Sequence, residues 1–275
     1  MASENAGREE ALGSAGSNAA AAPLSVLVVG DGRMGSLVAQ LVEEDVACAL
    51  SGIVGLRAPG GEASGPARFA FSQLAQAGEV PAADVAIDFS NAATIDDVAA
   101  YVEATGAALV SGTTGYDDAA MARLRALGER AAVIHSANYS LGVAVLRRLA
   151  SQAAEALAGF DIEIVETHHN QKADAPSGTA KALLAAVQQV RSDTEPVYGR
   201  EGMCGPRDAR EIGVHAVRGG TVAGTHEVHF FGPDEEVVLT HRATSRRIFA
   251  SGALAAAKRL VGKGPGFYTF DELMF

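Results

Sequence analysis

Two adjacent histidines, a lysine shortly after them and a small-residue helix start stand together in Glu166-Thr-His168-His169-Asn-Gln-Lys172-Ala-Asp174-Ala-Pro176-Ser177-Gly178-Thr179-Ala180. These types at this spacing can move protons on a small anion. An imidazole such as His168 gives or takes a proton near neutral pH, and a lysine such as Lys172 stabilises and then protonates a developing negative charge. The exposed N–H groups at the start of the helix can gather around a small anionic molecule, as helix N-termini do for anions. Gly178 lets a ligand approach the backbone. Taken singly, each has an ordinary reading: a solvated loop residue, or a Pro-Ser-Gly-Thr helix cap. Their concentration at one strand–helix junction favours catalysis.

A second pattern lies near the start of the chain. The apolar run Leu24–Val29 leads into Gly30-Asp31-Gly32-Arg33-Met34-Gly35, and a helical stretch from Ser36 to Glu44 follows. In this spacing Gly30 permits the tight turn, Gly32 admits a pyrophosphate to the backbone, and Gly35 lets helix pack on strand. A dinucleotide site usually carries an acid near the end of the next strand. Here that strand, Ala49–Gly55, ends in Leu56-Arg57. A carboxylate would repel a 2′-phosphate and an arginine would pair with it. Arg57, aided by Arg33, therefore predicts NADPH over NADH.

The elements that must position these groups alternate. Buried strands at 84–88, 107–111 and 132–135 alternate with helices at about 92–105 and 117–130. Small polar residues cluster at the strands' C-terminal ends: Asp88-Phe-Ser90, Gly112-Thr113-Thr114-Gly115 and Ser136-Ala137-Asn138-Tyr139. In a doubly wound parallel sheet those ends line one crevice, with Gly112, Thr113 and Thr114 on the nicotinamide side. Residues 58–72 read as a loop. A long amphipathic helix from Ser140 to Ala158 opens a second unit. It holds a strand from Phe160 to Glu166, a helix beginning near Pro176, and alternating strands at 211–218, 225–231 and 236–244. About four strands make an open mixed sheet there. The Gly-rich connection 191–210 reads as a mobile loop over the site or at a subunit contact. The fold class is thus α/β, a Rossmann-like dinucleotide-binding domain plus an α+β domain for substrate and oligomerisation. The expected division is 24–139 with 245–275 against 140–244, behind a flexible tail at 1–23.

A net charge of −11 argues against nucleic acid or an anionic membrane surface as the main partner. No apolar run has the length of a membrane-spanning helix. Cys48 and Cys204 form neither a disulfide framework nor a metal-ligand pair, and a reduced cytoplasmic protein is expected. The remaining histidines, His135, His215, His226, His229 and His241, contain no helical His-x-x-x-His pair, and no metal is predicted.

Gly32-Arg-Met-Gly35, Asp88-Phe-Ser90, Gly112-Thr-Thr-Gly115, Ala137-Asn-Tyr-Ser140 and above all the His168-to-Ala180 string resemble the 4-hydroxy-tetrahydrodipicolinate (dihydrodipicolinate) reductases, in order from Leu24 to the C-terminus. The resemblance implies NAD(P)H-dependent reduction of a small cyclic dicarboxylate in the diaminopimelate route to lysine. It implies proton transfer by His168 and Lys172, and substrate contacts from His169, Gly178 and Thr179: the N–H groups of Ser177, Gly178 and Thr179, with the Thr179 hydroxyl, would hold one carboxylate and His169 the other. It also implies cofactor contacts from Gly30 to Met34, Gly112 to Thr114 and Ser136 to Tyr139, and a homotetramer built through the second sheet. Two departures stand out. Leu56 replaces an acid common in the family, and the glycine turn is one residue shorter. Two alternatives remain: another small-substrate NAD(P) oxidoreductase of the same plan, and a non-catalytic NADPH-binding sensor, which would have no use for His168, His169 and Lys172.

Overall fold

A computed structural model describes residues 22–57 and 65–275. The tail expected at 1–23 falls largely outside the described residues, as does the middle of the loop expected at 58–72. The first part of the chain runs β1 (Leu24–Val29), α1 (Arg33–Glu44), β2 (Cys48–Gly55), β3 (Arg68–Ala70), α2 (Phe71–Leu74), β4 (Val85–Asp88), α3 (Ile95–Thr105), β5 (Ala108–Ser111), α4 (Asp118–Leu127) and β6 (Ala132–His135). It continues with α5 (Leu141–Ala156), β7 (Asp161–His168), α6 (Gly178–Gln188), β8 (Glu195–Val197), β9 (Glu211–Arg218), β10 (Thr225–Gly232) and β11 (Glu235–Arg242). The chain closes with α7 (Arg247–Leu260), β12 (Gly266–Tyr268) and α8 (Phe270–Met274).

Seven strands form a parallel sheet in the order β12-β6-β5-β4-β1-β2-β3. Alternate residues of β1 serve opposite faces, as the two-residue period of a strand requires. Val26 and Val28 pack under α1, α7 and α8, while Leu27 and Val29 pack under α2, α3 and α4. That explains why β1 is apolar at four successive positions, Val26 to Val29: both faces are covered. The last part of the chain returns to this sheet, with β12 pairing with β6. A Cβ on Gly252 would stand 1.6 Å from the Tyr139 carbonyl oxygen, so α7 lies directly against that backbone.

Five strands form a second, mixed sheet, β11-β10-β7-β9-β8. The sequence predicted four; the fifth, β8, lies inside the expected loop 191–210, and its Pro196 is tolerated because β8 is an edge strand. One face carries Ile162, Ile164, Ile212, Val214, Val228 and Phe230 under Leu146, Leu183 and Val187 of α5 and α6. The other face bears no described helix and leaves Phe231, Val238 and Val217 exposed. Arg200 and Arg207 of the 191–210 connection pair with Glu163 on this open face, so the connection lies there and does not line the cleft beside His168. Two short elements were also unforeseen in the region read as a loop, β3 and α2.

Candidate active site

The strand ending the first half of the histidine stretch is longer than its sequence predicted. β7 runs through His168, so Glu166 and His168, two residues apart, share the face turned toward α6. The parallel register sets Arg218, last residue of β9, beside His168. Three partners then converge on the buried Glu166 carboxylate. Arg218 donates two hydrogen bonds of 2.8 Å, the His168 Nδ1–H donates at 2.5 Å, and the Ser177 N–H donates at 3.0 Å. Burial pushes the Glu166 carboxyl up, but these donors outweigh it and hold it below the usual glutamate value. The anion fixes the His168 tautomer and leaves Nε2 as the outward nitrogen. Gly224 makes room for it, since a Cβ there would come within 3.0 Å of that atom.

His169 sits just past β7, its N–H bonded to the Val222 carbonyl at 2.8 Å. Arg246 approaches its Nε2 at 3.4 Å. Burial, then the charges of Arg246, His168, Lys172 and Arg218, depress the His169 pKa and favour its neutral form. Lys172 Nζ pairs with Asp174 at 2.8 Å. Ser177 caps α6 by accepting from the Ala180 N–H, and its own N–H is taken by Glu166. Of the three N–H groups expected to hold a carboxylate, Gly178 and Thr179 remain. A Cβ on Gly178 would meet no described atom within 4 Å, because it would point into open space.

His168, His169, Lys172, Gly178 and Thr179 all line one cleft of about 410 Å³, with Ser136, Ala137 and Asn138 on its opposite wall. Asn138 Nδ2 donates to Thr179 Oγ1 at 2.9 Å and ties the two walls together. Tyr139 differs from its neighbours: it is 1% exposed, packs edge-on against Phe89 and Phe270, and donates to the Ser111 carbonyl. Its side chain belongs to the core. The cleft also holds Arg147 and Arg246, two cations that sequence reasoning did not single out. Neither sits in a motif; they come from α5 and from the start of α7, far from His168 in sequence.

The glycine turn has the geometry its spacing predicts. Gly30 has φ +107°, and a Cβ on Gly35 would stand 1.8 Å from the Gly30 carbonyl oxygen. A Cβ on Gly32 would meet no described atom within 4 Å. Gly32 is the N-cap of α1 and offers no side-chain bond, so the N–H groups of Arg33 and Met34 in the first turn face outward uncapped. Beside this turn, the buried Asp88 accepts from the Ser90 N–H and hydroxyl and from the Ser111 and Tyr116 hydroxyls. Burial raises its pKa against those bonds. Thr113 Oγ1 accepts from the same Ser90 N–H, while Gly112 packs on the Phe89 ring and Thr114 is exposed. Arg57, past the end of β2, pairs with Asp31 at 3.8 Å. Among the described residues no group of three His, Cys, Asp or Glu is arranged to hold a metal, and no helix is long and apolar enough to cross a membrane.

The chain is similar to known proteins over most of its length. Residues 24–139 match the family model described as dihydrodipicolinate reductase, N-terminus, and residues 142–274 match the C-terminus model. A 4-hydroxy-tetrahydrodipicolinate reductase of Staphylococcus epidermidis is 41% identical over 250 residues, covering 91% of this chain and all of the relative. One from Staphylococcus aureus is equally similar over the same span. A dipicolinate-bound dihydrodipicolinate reductase from Paenisporosarcina sp. TG-14 has the same fold, with TM-score 0.72 at 23% identity over 92% of this chain and 100% of that one. The chain belongs to the dihydrodipicolinate reductase family.

Proposed function

We propose that the chain reduces 4-hydroxy-tetrahydrodipicolinate to tetrahydrodipicolinate with NAD(P)H, in the diaminopimelate route to lysine. The observation that carries this reading is the single cleft that gathers His168, His169, Lys172, Gly178 and Thr179 against Ser136–Asn138. The nicotinamide cofactor fits the chain on its own geometry: an open backbone at Gly32, a positive φ at Gly30 and uncapped N–H groups at the start of α1. When bound, it supplies the hydride.

The protein then holds the substrate and delivers the proton. The N–H groups of Gly178 and Thr179 hold one carboxylate, with the Thr179 hydroxyl oriented by Asn138. His169 and Arg246 hold the other. Lys172 stabilises the negative charge left on the ring after reduction and protonates it; His168, oriented by Glu166, shares that role. A non-catalytic sensor would have no use for the proton donors His168, His169 and Lys172.

NADPH is the preferred reductant in this reading and NADH a possible one, since Arg57 offers a cation to a 2′-phosphate and Leu56 offers no acid. Gly30 to Gly35, Gly112 to Thr114 and Ser136 to Asn138 form the nucleotide contacts, with Tyr139 supporting them from the core. Residues 24–139 with 245–275 form the nucleotide domain and 140–244 the substrate domain. The open face of the second sheet, with Phe231, Val238 and Val217, joins copies into a homotetramer, and the protein works in the cytoplasm.

The test is direct. Purified protein is mixed with NADPH and the fresh aldol adduct of pyruvate and aspartate semialdehyde, and absorbance of the reduced nicotinamide is followed. Oxidation no faster than in a Lys172→Ala control would overturn the assignment.

A further inference from the structure

In most dinucleotide folds the carboxylate that holds the adenosine ribose comes from the end of the second strand. Here β2 ends at Gly55, and the next residue, Leu56, is apolar and 89% exposed. The structure nevertheless places a carboxylate at that position. It belongs to Asp31, in the middle of the glycine turn.

Several observations fix it there. β1 and β2 are parallel neighbours with Val29 beside Val54, and the Gly30 N–H bonds to the Val54 carbonyl at 2.8 Å. The turn and the end of β2 therefore lie side by side. Asp31 uses that proximity to lay its side chain across Gly55. A Cβ at Gly55 would stand 2.2 Å from Asp31 Cγ, so the placement depends on glycine at 55. Asp31 Oδ2 accepts from the Arg57 N–H at 3.0 Å. Burial pushes the carboxyl up, and the N–H groups of Arg57 and Leu56 with the Arg57 charge pull it down further, so the group is an anion at neutral pH. The two side chains differ in freedom: Asp31 is 14% exposed and Arg57 is 65% exposed. The carboxylate is held by backbone, whereas the guanidinium touches it only through Nε at 3.8 Å and keeps its outer nitrogens for another partner.

We infer that Asp31 supplies, from the glycine turn, the ribose-binding carboxylate that β2 lacks, and that Asp31 and Arg57 set nucleotide choice by opposing each other. The assignment rests on the nucleotide site proposed above. With NADH, the ribose 2′-hydroxyl donates to Asp31. With NADPH, the 2′-phosphate is drawn by Arg57 and repelled by Asp31. The chain thus carries both halves of the usual discrimination at once, and Asp31 limits the NADPH preference that Arg57 creates.

The experiment measures dissociation constants for NADPH and NADH by calorimetry on the full chain and on Asp31→Asn, Asp31→Ser and Arg57→Ala. Asparagine keeps an oxygen for the Arg57 N–H and removes only the charge. For Asp31→Asn the NADH constant should rise and the NADPH constant fall, moving their ratio about tenfold toward NADPH, the value of one hydrogen bond to a charged group. Asp31→Ser should move the ratio the same way and Arg57→Ala the opposite way. A ratio unchanged within about twofold in both Asp31 variants, or displaced toward NADH, would overturn the assignment while leaving the nucleotide site intact. If the unaltered chain binds neither nucleotide, the site and the assignment fall together.

Discussion

The nucleotide and substrate regions proposed above are built from different materials. The nucleotide side is made mostly of backbone, with the Asp31–Arg57 pair at its edge: Gly30 at positive φ, Gly35 against a carbonyl, Gly32 facing open space, and uncapped N–H groups. The substrate side is made of side-chain charge: Glu166 beneath His168, Arg218 beneath Glu166, Lys172 against Asp174, and Arg246 against His169. Backbone sites accept a ligand by shape and need little support. Charge sites need partners in place before the ligand arrives, because a buried ion without one is costly.

That contrast is sharpest at Lys172. Replacing it with alanine should lower kcat by roughly 100-fold or more, the usual worth of a positioned proton donor. Calorimetry should show the NADPH dissociation constant unchanged, since the change lies wholly on the substrate side. A parallel loss of NADPH binding would break the division between the halves.

Glu166→Gln should come next. It touches no ligand in this arrangement, so the expected loss falls on kcat, by roughly 10- to 100-fold as His168 loses its fixed orientation. The KM for substrate should move little. A variant with altered KM and intact kcat would make Glu166 a merely structural partner of Arg218.

On the nucleotide side, two alanine substitutions three residues apart should behave in opposite ways. Gly35→Ala forces a Cβ to within 1.8 Å of the Gly30 oxygen and should destabilise the fold by about 1–3 kcal/mol, read from a urea midpoint. Gly32→Ala meets no described atom and should unfold at the same midpoint, yet weaken NADPH about tenfold by obstructing the pyrophosphate. Equal stability in both variants would mean that the turn does not pack as described.

The same contrast explains what the sequence could reveal. The glycine turn was legible because its three roles are set by residues within six positions and by flanking elements of obvious type. The alternation of strands and helices was legible because both faces of the first sheet are buried. The string from His168 to Ala180 was legible as a cluster of reactive types. Its support was not: Arg218 reaches Glu166 only through the register of β7 with β9, and Arg246 reaches His169 only because α7 begins beside the cleft. Asp31 was grouped with the turn and Arg57 with the missing acid, but nothing local joins them; the pairing of β1 with β2 does. The short elements β3, β8 and β12 carry too few residues for a period to show, and they are strands because a neighbour offers an edge.

The last expected effect concerns pH. His226, on the buried face of β10, is 4% exposed, stands edge-on to His168 at 5.1 Å and leaves Nδ1 without a described partner. Burial, then the neighbouring His168, lowers its pKa from 6.5 to about 4, against the pull of Glu166. The folded chain therefore binds fewer protons here than the unfolded chain between those values, and stability rises with pH across that window. Lowering the pH from 7 to 5 should cost about 2 kcal/mol at this residue. Burial depresses His135 and His241 in the same direction, while the raised carboxyl of buried Asp88 works against them. His226→Gln, which cannot gain a proton, should flatten the slope of the urea midpoint between pH 7 and 5 by roughly 1–2 kcal/mol. An unchanged slope would mean that His226 titrates alike in the folded and unfolded chain, and a steeper one that the folded chain keeps its proton, stabilised by Glu166. In that case the charge network on the substrate side would include a third imidazole, and the neutral histidine drawn here behind His168 would be wrong.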